Sequence, residues 1–276
     1  MRFCVRLMAA LAACCCLPAM ADDLFPDKNL EEAVRQEVFE KRGKKEPLVE
    51  SDVVNISQVK GKGKKVANLA GLEKCKSLAL IELDNNEISD LAPIKDLKML
   101  QSVSLGKNKI QSLEPLAGLT GIQYLVIEDN QVAELAPLNN IKALVNLYAS
   151  NNQIKDLAPL TGTPKLVSLY LNGNPVENFA PLASLKNLQR LDLRNTGFSD
   201  VTPLTGSTEW TYLFLNNCKI AELGPLVAAV KKDLEGQKRF APFFRLYIGE
   251  NPLNDTGKAQ LEELKKLGTR IHMEYK

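Results

Sequence analysis

The stretch Leu147–Leu160, LYASNNQIKDLAPL, decides how this chain is read. Leu147 and Ala149 flank Tyr148 with the alternation of a short strand. Asn152 follows where the chain must turn, and Pro159 opens a helical return. The stretch is not unique. Asn86, Asn108, Asn130, Asn152 and Asn174 lie 22 residues apart, Thr196 and Cys218 continue the frame, and each stands two residues before Ile, Val or Phe. Pro93, Pro115, Pro137, Pro159, Pro181, Pro203 and Pro225 hold a second fixed position in it.

Seven full repeats therefore run from Lys76 to Ala229, each following L-x-x-L-x-L-x-x-N-x-I-x-x-L-x-P-L-x-x-L with small lapses. A coil of this kind cannot bury its apolar edge alone, so coils stack, with strands roughly 4.8 Å apart in a parallel sheet. The Asn side chains can bond backbone groups of neighbouring turns, and Asp90, Asp156 or Asp200 can cap the helical turn that the next Pro begins. The predicted architecture is an α/β leucine-rich-repeat solenoid, with a curved parallel β-sheet on the concave side and short 3-10 or helical turns on the convex side.

The frame extends both ways, giving a solenoid over 54–253. Ile56, Val59, Val66, Leu69 and Leu72 fit a degenerate first repeat at 54–75, where Gly61 and Lys64 stand at the Leu and Asn positions. After Ala229 an insertion, Val230 to Phe240, predicts a longer convex helix before Leu246, Ile248, Asn251 and Leu253 resume the register in a partial repeat at 241–253. Both ends look sealed by caps. At 22–53, Asp27 can start a helix carrying Leu30, Ala33, Val34 and Val38, with a second short helix near Ser51 to Asn55. At 254–276, Asp255 or Thr256 can start a helix through Leu261, Leu264 and Leu267, followed by Gly268 and a strand near Arg270 to Tyr275.

These repeats resemble those of internalin-type bacterial leucine-rich-repeat proteins, whose units end in N-x-I-x-D-I-x-P-L. Here the matching residues are Asn86-Glu87-Ile88-Ser89-Asp90-Leu91-Ala92-Pro93-Ile94. The leader FPDKNLEEAVRQEV, Phe25 to Val38, is similar to the helical segment preceding such repeats. The resemblance covers nearly all of the chain after residue 21. It implies a non-catalytic binding protein, used in some members for adhesion or host contact, without implying which partner.

Residues 1–21 read as a secretory signal: Arg2 and Arg6 are basic, Leu7 to Leu17 is apolar, and Ala19-Met20-Ala21 suits cleavage. The rival is a lipobox, Leu11-Ala12-Ala13-Cys14, with a lipid anchor on Cys14. Either predicts an exported protein, periplasmic, secreted or an outer-surface lipoprotein. No stretch is long enough for a transmembrane segment. Without Arg2 and Arg6 the 35 Lys and Arg become 33, equal to the 33 Asp and Glu, so no nucleic acid partner is expected. Four of the six cysteines fall in the signal, leaving Cys75 and Cys218 too many coils apart for a bridge and read as buried thiols.

Catalytic chemistry has little to stand on. The single histidine, His272, has no metal-spaced partner, and Gly61-Lys62-Gly63-Lys64-Lys65 lacks the spacing of a phosphate loop, so no enzyme, cofactor or metal is predicted. Trp210 replaces a repeat leucine and reads as core. Lys41, Arg42, Lys44, Lys45, Lys60, Lys62, Lys64 and Lys65 form a basic cluster that reads first as a solvated cap surface.

The strand positions carry the functional signal. Positions 6 and 8 of the frame point inward, whereas 5, 7 and 9 point to solvent. Position 7 runs Glu82, Ser104, Val126, Tyr148, Tyr170, Asp192, Phe214, Tyr247, and position 5 runs Leu80, Ser102, Tyr124, Asn146, Ser168, Arg190, Tyr212, Arg245. Five of six tyrosines occupy these columns, beside Arg190, Asp192, Arg194 and Arg245. Cross-strand aromatic pairs also stabilise sheets and would need no ligand. Tyr and Arg anchor protein interfaces, so the expected function is protein binding on the concave face by Tyr124, Tyr148, Tyr170, Arg190, Asp192, Arg194, Tyr212, Phe214, Arg245 and Tyr247. Two alternatives are a glycan or envelope polysaccharide stacking on the tyrosines, and an intracellular phosphatase-regulating scaffold if the signal reading fails.

Overall fold

A computed structural model describes residues 23–240 and 243–274. The signal and the Cys14 lipobox at 1–21, and Tyr275, lie outside them.

Ten strands form one parallel sheet in strict chain order: β1 Gln58–Lys60, β2 Leu80–Glu82, β3 Ser102–Ser104, β4 Tyr124–Val126, β5 Asn146–Tyr148, β6 Ser168–Tyr170, β7 Arg190–Asp192, β8 Tyr212–Phe214, β9 Arg245–Tyr247 and β10 Arg270–His272. Each strand is one residue to either side of an inward side chain, and the register pairs equal frame positions, as in Leu147↔Leu169↔Leu191. The inward residues Ile81, Val103, Leu125, Leu147, Leu169, Leu191, Leu213 and Leu246 are all fully buried. Proline-opened 3-10 turns such as Ala92–Ile94 and Ala158–Gly162 return the chain along the opposite side. Asp90, Asp156 and Asp200 each accept the amide of the first residue of such a turn, at 2.8, 2.9 and 2.8 Å.

The asparagine ladder is the polar spine of the core. Asn108 accepts the Ile88 amide of the preceding coil at 3.0 Å and donates to the carbonyls of Leu83, Leu105 and Gly106 at 3.0, 2.9 and 3.2 Å. Asn86, Asn130 and Asn152 repeat the arrangement, so the side chain supplies bonds to the backbone where strand and turn leave amides and carbonyls unpaired. Where Thr196 and Cys218 stand in for Asn, each donates to the Leu193 carbonyl. Asn251 restores the full pattern.

The residue just before each rung has a positive φ: Asn85, Lys107, Asp129, Asn151, Asn195 and Asn217 at 51 to 57°, and Gly173 at 73°. This left-handed residue swings the chain out of the strand. Asn, Asp and Gly tolerate it at little cost, so only Lys107 and, in the last coil, Glu250 go against preference.

At the amino end, α1 (Lys28–Arg35) buries Leu30, Ala33 and Val34 against the first coil. Asp27 does more than cap it. One carboxylate oxygen accepts the Asn29 and Leu30 amides, and the other accepts the Ala67 and Asn68 amides of the degenerate coil at 2.7 and 3.0 Å. Burial works against that charge, yet the four amides outweigh it and hold the carboxyl below the ordinary aspartate value. The short α2 (Glu50–Val53) follows, its Asp52 accepting the Val49 amide.

The 3-10 turn of the seventh repeat is replaced by α3 (Gly224–Glu235), so the insertion does lengthen a convex helix. At the far end α4 (Asp255–Lys266) is capped by Asn254, which accepts the Gly257 amide at 2.8 Å, and not by Asp255 or Thr256. Asn254 has the extended backbone an N-cap requires, whereas Asp255 is already helical. Gly268, at φ 94°, ends α4 before β10. Trp210 is core, donating to the Leu204 carbonyl at 3.0 Å, and Cys75 and Cys218 are buried free thiols. Among the described residues no helix is long and apolar enough to cross a membrane.

Candidate binding site on the concave face

The strand register sets Val126, Tyr148, Tyr170, Asp192, Phe214, Tyr247 and His272 side by side on seven consecutive strands. Their rings form a nearly continuous ribbon. Tyr148 stacks on Tyr170 at 4.7 Å and 17°, Phe214 on Tyr247 at 4.7 Å and 29°, and Tyr247 on His272 at 4.4 Å and 12°. Tyr124, in the neighbouring column, tilts onto Tyr148 at 5.3 Å, and Tyr212 stacks on Phe214 at 5.8 Å. The spacing follows from the sheet, since adjacent strands hold neighbouring side chains at about the separation of stacked rings.

Asp192 and Phe214 do not face solvent as the alternation predicts; Asp192 is 0% and Phe214 8% exposed. The reason is lateral. Tyr170 and Phe214 lean together across the intervening strand to 6.4 Å, and Asp192 lies between them. Arg194 completes the enclosure: its Nε donates to both Asp192 oxygens at 2.9 and 3.1 Å, its Nη2 to one at 2.6 Å, and its guanidinium stands 5.6 Å from the Phe214 ring. Asp192, buried and bonded, therefore holds Arg194 in place. Val126 and Ser168, in the same columns, are buried as well. Tyr124 stays exposed, and Tyr148, Tyr170, Tyr212, Arg245 and Tyr247 are half-buried.

Position 5 on the last four strands runs Arg190, Tyr212, Arg245, Arg270. Arg190 and Arg245 flank Tyr212 at 6.0 and 5.2 Å from its ring, and Arg245 donates to the Tyr212 hydroxyl at 2.7 Å. Arg270 and His272 were not picked from the sequence because they follow the last repeat; counting the tail in strand register exposes them.

The opposite end of the face is charged and not aromatic. Lys62, Asp84, Asn85, Gly106, Lys107 and Glu128 line a small cleft there. Asp84 is engaged by the Ser104 hydroxyl and the Gly106 amide, both at 2.8 Å. Burial, reinforced by the Asp129 charge, pushes the Glu128 carboxyl up. A hollow of about 360 Å³ opens on the convex side beside α3, where Asp233 is engaged by the Arg239 and Phe240 amides and Arg239 by Glu209. In the basic cluster Lys41 pairs with Glu46. Among the described residues no three His, Cys, Asp or Glu are placed to hold a metal ion.

A family model of leucine-rich repeats in two copies matches residues 142–184. No curated protein matches the sequence. An internalin, inlF of Listeria monocytogenes, superposes with a TM-score of 0.71 at 25% identity, over 90% of this chain and 75% of its own. Internalin C2 of the same organism superposes at 0.63 and 25% identity, over 90% and 95%. The plant peptide hormone receptor RGFR1, solved in complex with RGF2, shares the fold at 0.63 and 19% identity, over 80% of this chain and 36% of its own. The repeat, the open ten-stranded sheet and these likenesses together identify the chain as a bacterial internalin-like leucine-rich-repeat protein.

Proposed function

We propose that this chain is an exported, non-enzymatic protein that binds a partner protein on its concave face, between β4 and β10. Leucine-rich-repeat proteins such as internalins and receptors mediate protein–protein interaction, and the likeness of this chain to them in repeat and fold supports the same role here. The observation that carries the finer reading is the aromatic ribbon from Tyr124 to His272, bordered by Arg190, Arg194 and Arg245. Stacked rings are rigid, so little side-chain entropy is lost when a partner settles on them. Export rests on the sequence of residues 1–21.

The same stacking weighs against a glycan. A sugar ring lies flat on an exposed aromatic face, whereas Tyr148, Tyr170, Phe214 and Tyr247 turn their faces to one another. The half-buried Tyr148, Tyr170 and Tyr247 carry hydroxyls, which suit backbone carbonyls and side chains of a protein.

The test is crosslinking in the native organism, affinity purification of the partner, and titration of that partner against the wild type and Tyr148→Ala/Tyr170→Ala. Loss of binding by the double variant supports the reading. Unchanged affinity removes the ribbon from it.

A further inference from the structure

We propose that the row Arg190, Arg245 and Arg270 is an anion-binding strip that takes an acidic segment of the partner, its carboxylates lying across β7 to β10. This rests on the protein-binding reading and gives it a chemistry.

Three observations converge. The three arginines occupy one position on the strands of a single sheet, in register through Arg190↔Tyr212↔Arg245↔Arg270. Their order leaves roughly 10 Å between the first two and roughly 5 Å between the last two, from the spacing of strands. None pairs with a carboxylate among the described residues, in contrast to neighbouring Arg194 and Arg239, which pair with Asp192 and Glu209. The fold neutralises Arg194 and Arg239 with carboxylates and gives these three none among the described residues. Finally, Tyr212 holds two of them toward one another, with Arg190 and Arg245 over its ring and its hydroxyl accepting from Arg245. Like charges gathered on one ring raise the local potential and preorganise the forks for carboxylates.

The formally neutral balance of the chain after residue 21 makes this strip local, not part of a general basic surface. Beside it the half-buried rings of Tyr247 and His272 form an aromatic border on β9 and β10. An acidic segment interspersed with apolar residues matches both features, one group of side chains on the arginines and the other on the rings. A sulfated glycan would match only the charge.

The probe is a fluorescein-labelled peptide of ten residues mixing Glu and Leu, followed by fluorescence anisotropy with the full chain at low salt. Its Gln-for-Glu counterpart and a heparin oligosaccharide are the comparison arms. The proposal expects the acidic peptide to bind, the Gln peptide not to, and affinity to fall as salt rises. Arg190→Gln/Arg270→Gln removes two exposed guanidiniums that pair with no carboxylate among the described residues, and should weaken the acidic peptide at least about tenfold, the scale of losing two charge-assisted contacts. Adding Arg245→Gln should weaken it further, with an unchanged melting temperature of the double variant confirming the fold. Tyr148→Ala/Tyr170→Ala should leave this binding in place, so failure of the strip and failure of the ribbon are read separately. Equal affinity of wild type and double variant, no binding of the acidic peptide, or tighter arginine-dependent binding of heparin would each overturn the proposal.

Discussion

The rings of Tyr170 and Phe214 stand 6.4 Å apart although a whole strand separates them. Two strand spacings would set them nearly 10 Å apart, so the rings lean inward and enclose Asp192. The concave face is consequently a cemented surface, with its rings bonded to each other and its one buried carboxylate fixed to Arg194. That arrangement makes the stability effects of its parts separable from their part in binding.

Asp192→Asn should destabilise the fold while Arg194 loses its ionic partner. The expected cost is about 1.5–3 kcal/mol, the worth of hydrogen bonds to a charged group, in urea unfolding. Arg194→Ala leaves the buried carboxylate unpaired and should cost at least as much. An unchanged midpoint for both would mean that the pair adds nothing.

Tyr148→Ala/Tyr170→Ala removes one stacked pair and two tilted ring contacts, each worth about 0.5–1.5 kcal/mol beyond the apolar area lost. The variant should stay folded by circular dichroism, with a melting temperature lowered by several degrees.

Asn130→Ala strips the Ile110 amide of its acceptor and takes one of two donors from the carbonyls of Leu105, Ile127 and Glu128, which keep Asn108, Asn152 and the Lys107 amide. The one buried amide left unsatisfied costs about 1–3 kcal/mol, and the lost second donors add to it, which a lowered urea midpoint should show. Asn130→Asp tests the donor side alone, because a carboxylate accepts the amide yet cannot donate to the carbonyls.

Asp27 links the cap to pH. Its folded carboxyl is held below the ordinary value by the Ala67, Asn68, Leu30 and Asn29 amides, against the cost of burial. A depressed carboxylate adds stability that is present above its unfolded value, about 3.9, and is lost as pH falls through the lower folded value. Wild type should therefore lose more stability than Asp27→Asn as pH falls below about 4, measured by urea midpoints.

Burial and the nearby Glu73 charge push the Cys75 thiol up to about 12, and burial raises Cys218 as well. Neither should react with iodoacetamide at pH 8 in the folded chain, and both should react in urea. Fast native labelling of either would show that its coil opens.

The 22-residue frame made the coils, the buried leucines, the asparagine ladder and the Asp-capped turns legible, because each depends only on where a residue stands along its own coil. It also placed Tyr148 beside Tyr170, since register follows from the same count. What it did not yield is lateral. Alternation says which way Cβ points from a strand but not that Tyr170 and Phe214 lean over Asp192, so burial of Asp192 and Phe214 was invisible. His272 and Arg270 escaped because β10 follows α4 outside the repeat. The helix begins at Asp255, one of the two starts the sequence offers, but that Asn254 supplies its cap is a matter of backbone geometry that residue type alone does not give.

The most direct test of concave-face binding places a photo-crosslinking amino acid at Tyr124, which is 37% exposed at the start of the ribbon, and separately at Glu114 on the convex side, in cells of the native organism. The account predicts a discrete protein adduct from position 124, none from position 114, and loss of the adduct when Tyr148→Ala/Tyr170→Ala is added. An adduct from Glu114 alone, or one from Tyr124 that survives the double substitution, would contradict it.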